Sequence, residues 1–177
     1  GLVDELESDG ITLFAPKDDA FAPLDVQDLL ADANEGLLTS VLSYHVVPQE
    51  IKLQEGSNAL GSGTTRTFET LEGDDITVRV TEEGATVNGH AISNPDADAS
   101  NGVVHVTNTV LLEAVDAVDR AELTTQFRIL NTLIDEEGLA GTLRGPGPNA
   151  NEGVTIFAPS NDAFLSALDN NDNGQVD

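Results

Sequence analysis

An α+β fold is predicted by three features of the amino-acid sequence: helix-spaced leucines precede a series of alternating strands, a ten-residue apolar motif recurs late in the chain, and acidic residues are dispersed through ordinary apolar patterning. A chain of 177 residues holds one domain with a real core, or one domain and part of another.

Ile11 to Ala15 reads as a short buried strand. Pro16 with Asp18 and Asp19 then sets a turn and a helix start, where acids suit the helix dipole. Leu29, Leu30, Leu37, Leu38, Val41 and Leu42 recur at helical spacings, interrupted near Asn34 to Gly36, which implies two packed helices. Val46-Val47-Pro48, Thr65 to Leu71, Ile76 to Val80 and Ala85 to Ile92 read as strands, with Ile76, Val78 and Val80 alternating against Thr77, Arg79 and Thr81. Asn88-Gly89 is a hairpin-turn signal, and Val103 to Leu112, entered from Asn101-Gly102, reads as a long strand. The predicted core of this part is Leu13, Phe14, Val46, Val78, Val104 and Val106, with the acids outside.

Thr12 to Phe21 (TLFAPKDDAF) and Thr155 to Phe164 (TIFAPSNDAF) agree at seven of ten positions, 143 residues apart. Upstream, Gly1-Leu2 and Leu6 match Gly138-Leu139 and Leu143 at an offset of 137, so the second copy carries six extra residues in its GPGPNANEG loop. The period is too long for a solenoid, whose units run roughly 20 to 50 residues. Two tandem globular domains fit. Residues 1–113 are expected to form most of a first domain, 114–122 an acidic linker, and 123–177 the opening of a second. The first copy lacks a counterpart of Phe127 to Glu137, and the second stops shortly after its repeated motif.

There are 32 Asp plus Glu against 7 Lys plus Arg, a formal net charge of -25. Nucleic-acid affinity draws on Lys and Arg neutralising phosphates, so DNA, RNA and anionic membranes are poor partners for this chain. With Lys17 and Lys52 its only lysines, the dispersed acidic surface reads as an adaptation to high salt, where charge repulsion is screened. Cysteine is absent, which removes disulfides and thiolate metal sites. No segment approaches the roughly 18 apolar residues of a membrane span.

The two FAPxxDAF segments, Ser43 to Pro48 (SYHVVP) and Asn101 to Leu112 (NGVVHVTNTVLL) together resemble the fasciclin-domain family, in its order and separation of motifs. The resemblance implies a β-wedge with flanking helices and the start of a second copy, in secreted or membrane-anchored proteins that mediate adhesion. It brings no catalytic residues. It also implies partner contact at Tyr44 and His45, and at an Asp-Ile pair that reads Asp96-Ala97 in this chain.

Taken from the residues alone, His45 is either a contact beside Tyr44 or a structural hydrogen-bonder at a helix-to-strand junction. His90 and His105 lack the third protein ligand a zinc site needs. Ser43, His45 and Asp98 could be imagined as a hydrolase triad, but no nucleophile elbow is present. Asn94, Asp96 and Asp98 resemble the start of a calcium loop, yet Ala99 stands where the sharp turn needs Gly, so Ser93 to Asn101 reads as a solvated acidic turn. Near the C-terminus, Asp169, Asn171, Asn173, Gln175 and Asp177 take alternate positions of an EF-hand-like loop with Gly174 at its turn. That pattern suggests calcium in a longer parent protein, and no other cofactor is expected. The functional expectation is a non-catalytic, extracellular or cell-surface adhesion module whose partner is a protein or cell-envelope component. A glycan- or lipid-binding domain is the alternative.

Overall fold

The computed structural model of the protein describes residues 7–54, 56, 59–144 and 154–168. Its contacts divide the chain into two compact units: one runs to Ala22 and resumes over Glu35–Ala114, and the other takes Pro23–Asn34 and the chain from Val115 onward. Helix α1 (Val26–Leu29) is a single turn in the second unit, whereas α2 (Glu35–Tyr44) runs for ten residues in the first. The leucine spacing thus marks one substantial helix and one short turn.

The first unit is built on a seven-stranded sheet of β1 (Ile11–Pro16), β2 (Val46–Val47), β3 (Thr65–Glu69), β4 (Asp75–Thr81), β5 (Gly84–Val87), β6 (His90–Ala99) and β7 (Gly102–Thr107), in the order β2-β1-β7-β6-β5-β4-β3. Only β1 and β7 pair in parallel. A Cβ on Gly102 would stand 2.1 Å from the carbonyl oxygen of Ile11, so the two parallel strands meet there only because position 102 is glycine. The N–H of Leu71, just past β3, donates to the carbonyl of Val46 at 2.8 Å, which ties the two ends of the sheet and nearly closes it. Closure of this kind protects edge strands from outside pairing.

Alternation on β4 puts Ile76, Val78 and Val80 into the core beside Phe14, Tyr44, Leu53, Val87 and Leu111. Asn88 and Gly89 take positive φ of 48° and 83°, as a two-residue hairpin turn between right-twisted strands requires. Of the predicted core, Phe14, Val46 and Val78 are buried, while Leu13, Val104 and Val106 are only half-buried. The inward positions of β1 and β7 are Thr12, Phe14, Val103, His105 and Thr107. A strand commits alternate residues to one face as a set. The polar members of this set are accepted inside because each has partners: Thr12 Oγ1 donates to the carbonyl of Gln49 and accepts the N–H of Ile51, both at 2.8 Å, and Thr107 Oγ1 donates to the carbonyl of Thr109 at 2.8 Å.

Two further expectations change. Residues 93–99 form part of strand β6 instead of a turn, with register shifts between Ile92 and Asn94 and between Asn94 and Ala97. Strand β7 ends at Thr107, short of Leu112: the chain bends at Asn108 and Thr109, and further on the N–H of Leu111 goes to the ring of His45.

The second unit holds α1, α3 (Ala117–Glu122), α4 (Arg128–Glu136), α5 (Ala140–Leu143) and α6 (Asn161–Leu168). Asp116 caps α3, accepting the N–H groups of Val118 and Asp119 at 2.8 and 2.9 Å. Val118, Leu123 and Ile134 form its buried apolar positions together with Leu29 and Ala121. Asn161 Oδ1 accepts the N–H of Ile129 and its Nδ2 donates to the carbonyl of Thr125, each at 3.0 Å, which fastens α6 to the start of α4. Arg144 faces Asp116, Asp119 and Glu122, and these carboxylates raise its pKa, the Asp119 hydrogen bond most of all.

Candidate functional site

The last turn of α2 carries Tyr44 and His45 into the first unit at 2% and 4% exposure. The Tyr44 hydroxyl donates to the carbonyl of Asp75 at 3.1 Å and accepts from Asn88 Nδ2 at 2.8 Å, while Asn88 Oδ1 accepts the N–H of Thr77. Burial pushes the Tyr44 phenol up from its ordinary pKa, and the Asn88 hydrogen bond opposes the shift. Tyr44 therefore joins α2 to the start of β4 and to the β5–β6 turn.

In His45, Nε2 accepts the N–H of Leu111 at 2.9 Å, so the ring proton sits on Nδ1, which lies 2.6 Å from the carbonyl of Val41. Burial holds the ring below the usual imidazole pKa. Left without His45, the buried N–H of Leu111 would cost about 1–3 kcal/mol. His105 is wired the other way: Nδ1 accepts the N–H of Asp96 at 3.0 Å, and the proton on Nε2 reaches the carbonyl of Ile51 at 2.9 Å. Burial lowers its pKa too. Its ring lies 5.3 Å from that of Phe14.

Asp96 lies in the bulged stretch of β6 with φ of 58°, a left-handed conformation that aspartate tolerates better than most residues. Its side chain is 6% exposed, and its carboxylate accepts the N–H groups of Leu53 and Gln54 at 2.7 Å each. Lys52 pairs with Asp98, whose hydrogen bond raises the lysine pKa.

Sequence reasoning offered Tyr44, His45 and Asp96 as contact residues; the structure places all three inside the unit, with polar atoms turned to internal partners. It brings His105 and Asp96 together and keeps them apart from His90, which pairs with Glu113 at 3.1 Å. The imagined triad is not assembled: both ring nitrogens of His45 serve Val41 and Leu111, and Asp98 serves Lys52. Among the described residues, no three His, Cys, Asp or Glu side chains converge as a metal site. Asp169, Asn171, Asn173, Gln175 and Asp177 lie outside the described residues. Two residues whose side-chain roles sequence reasoning did not assign, Thr12 and the turn residue Asn88, hold the network together. The signal for Thr12 was its alternate spacing with Phe14.

The surface of the first unit carries an open hollow of about 520 Å³ on the outer face of β3–β5, lined by Thr65, Thr77, Arg79, Thr81, Thr86 and Asn88 among others. A smaller apolar cleft of about 290 Å³ runs along Ile11, Leu13, Val103 and Val104.

A family model described as Fasciclin domain matches residues 1–113 and 125–176. Protein sll1483 of Synechocystis sp. is 38% identical over 118 residues, 63% of this chain and 60% of that protein. Periostin of Homo sapiens is 31% identical over 172 residues, 92% of this chain and 18% of that protein. Cell surface glycolipoprotein MPB83 of Mycobacterium bovis is 32% identical over 114 residues, 63% of this chain and 47% of that protein. A solved FAS1 domain pair from the insect cell adhesion molecule Fasciclin I is similar at 15% identity with a TM-score of 0.43, over 82% of this chain and 51% of that one. The chain spans less than two thirds of the length of each of these proteins. The family match takes in all three signature segments, and the chain belongs to the fasciclin domain family.

Proposed function

We propose that this chain is a non-catalytic adhesion or interaction module, displayed extracellularly or at a cell surface, whose partner is a protein or a cell-envelope component. The observation that carries the reading is the inward use of the signature residues. Tyr44, His45, Asp96 and His105 are committed to internal hydrogen bonds, so they build a rigid scaffold and leave recognition to the surface around them. Membership of a family whose relatives include a protein named as a cell surface glycolipoprotein supports the same location. The net charge of -25 supports a salt-rich working environment.

Glycan or lipid binding is the weaker reading: the apolar cleft of about 290 Å³ falls just below the roughly 300–1,000 Å³ usual for ligand pockets, and the larger hollow of about 520 Å³ is open and lined mostly by threonines and charged or amide side chains instead of apolar ones. The test is retention of cells or isolated cell envelopes on the immobilised protein at molar salt, with heat-unfolded protein as control. Saturable retention by the folded chain is expected. Its absence, together with stoichiometric binding of a soluble glycan or lipid, transfers the function to the second reading. For the Asp169–Asp177 segment we propose calcium binding in a longer parent protein, supported by ligand spacing alone; calorimetric titration of a chain extended past Asp177, with Asp169→Ala as control, tests it, and no heat in the extended wild type removes it.

A further inference from the structure

We propose that His105, Asp96 and residues 51–54 form a proton-operated latch: a neutral His105 ring keeps the segment fastened to the β6 bulge, and a proton on Nδ1 draws the Asp96 carboxylate off the Leu53 and Gln54 amides and releases it.

The geometry has three parts. The Nε2–H of His105 donates to the carbonyl of Ile51, holding the start of the segment. The left-handed turn of the backbone at Asp96 aims its N–H at His105 Nδ1 and its carboxylate at the N–H groups of Leu53 and Gln54. Asp96 Oδ1 lies 3.8 Å from His105 Nδ1, beyond hydrogen-bond reach but close enough for a small rotation to close the gap. A proton on Nδ1 would set two N–H donors against each other at the 3.0 Å contact with Asp96. It would also create an imidazolium beside the carboxylate, and a charge-assisted bond between them is stronger than the carboxylate's bonds to neutral amides.

The groups facing the ring decide how it titrates. From β6 come Asp96 and, further out, Asp98; from the segment comes Lys52, paired with Asp98; β1 contributes the uncharged ring of Phe14. Burial resists protonation most, the main-chain bond to Ile51 and the charge of Asp96 favour it, and Lys52 opposes it. Thr12 Oγ1 holds the N–H of Ile51 independently of pH and acts as a hinge. Beyond that hinge the carbonyls of Lys52 and Leu53 still accept the N–H groups of Leu60 and Gly61 at 2.9 and 3.1 Å, so release is a local loosening of residues 51–54 from the β6 bulge.

The experiment is amide hydrogen exchange by NMR from pH 7 to pH 5, corrected for intrinsic rates. Protection at Leu53 and Gln54 is expected to fall about tenfold per pH unit below the ordinary imidazole pKa of about 6.5, while Val78 and Val80 keep theirs. His105→Gln retains a donor for Ile51 but takes up no proton, and it should flatten the response. Should that variant fail to fold, the wild-type His105 ring nitrogen shifts decide, since the loss of protection must level off at the pH where the ring of the folded chain titrates. Flat protection at Leu53 and Gln54, a fall shared by Val78 and Val80, an unchanged response in His105→Gln, or a loss that levels off at a pH other than that of the ring titration overturns the latch.

Discussion

His45 Nε2 accepts the main-chain N–H of Leu111 at 2.9 Å across 66 residues of sequence, so one imidazole joins the end of α2 to the segment that follows β7. This bond exists only while Nε2 is unprotonated. The folded-state pKa of His45 is lowered, mainly by burial, so the unfolded chain takes up a proton at a higher pH than the folded one. Above pH 6.5 neither state holds that proton and stability is unaffected. Between pH 6.5 and the lower folded-state pKa, His45 makes stability fall with acidification by about 1.4 kcal/mol per pH unit, and His105, lowered in the same way, adds to the slope. Denaturant unfolding at pH 7.5, 6.5 and 5.5 measures the slope. His45→Gln should start lower by about 1–3 kcal/mol and lose one proton from the linkage. An identical slope in both proteins would show that the titration lies elsewhere.

The repeated motif meets two different environments. Phe14 is 0% exposed within a strand paired on both sides, whereas its counterpart Phe157 is 91% exposed in a segment with no assigned strand. Phe14→Ala should cost the first unit about 3–5 kcal/mol, and Phe157→Ala should stay within about 0.5 kcal/mol. Tyr44 is the single tyrosine and lies in the first unit, so its fluorescence during urea unfolding reads the Phe14 variant, while exchange at the Ile129 and Ile134 amides reads the second unit for the Phe157 variant. Equal losses in the two variants would refute the assignment of burial.

How much of this was legible depended on whether a residue's partner is near in sequence. The β4 alternation and the Asn88-Gly89 turn are local patterns, and both stand where sequence placed them. The inward face of β1 and β7 was assigned to Leu13, Val104 and Val106 because Thr12, His105 and Thr107 are polar, and what admits two of those to the core lies far off: Gln49 and Ile51 for Thr12, Ile51 for His105. Pro95 and its acidic neighbours read as a turn because a bulge at Asp96 has no periodic signature. Tyr44 and His45 were recognisable as a motif, but their roles were set by Asp75, Asn88 and Leu111, which no local spacing reveals.

Asn161 stands where the first copy has Asp18, and the second unit uses both halves of its amide. Asn161→Asp keeps the acceptor for Ile129 but sets a carboxylate against the carbonyl of Thr125. Lost hydrogen bonding and desolvation cost about 1–3 kcal/mol, whereas a negative charge near the start of α4 returns about 0.3–1 kcal/mol. A net loss is expected. Exchange at the Ile129 amide measures it, with unchanged or greater protection as the contrary result.

Charge repulsion sets the last expectation. At -25, self-repulsion among carboxylates opposes folding in dilute buffer, and the screening length shortens from about 10 Å at 0.1 M salt to about 3 Å at 1 M. Salt also weakens the exposed ion pairs, such as Lys52–Asp98 and Arg128–Asp25. Pairs of that kind contribute roughly 0–1 kcal/mol each. With 32 acids and 7 bases, most carboxylates have no cation to lose, so relief of repulsion outweighs the loss of pairs. Melting midpoints should therefore rise steadily from 0.1 M to molar NaCl or KCl. A parallel series in a neutral osmolyte separates screening from solute exclusion, which strengthens apolar burial without touching charge. If the salt series rises no further than the osmolyte series, or falls, the acidic surface serves solubility and the high-salt reading is lost.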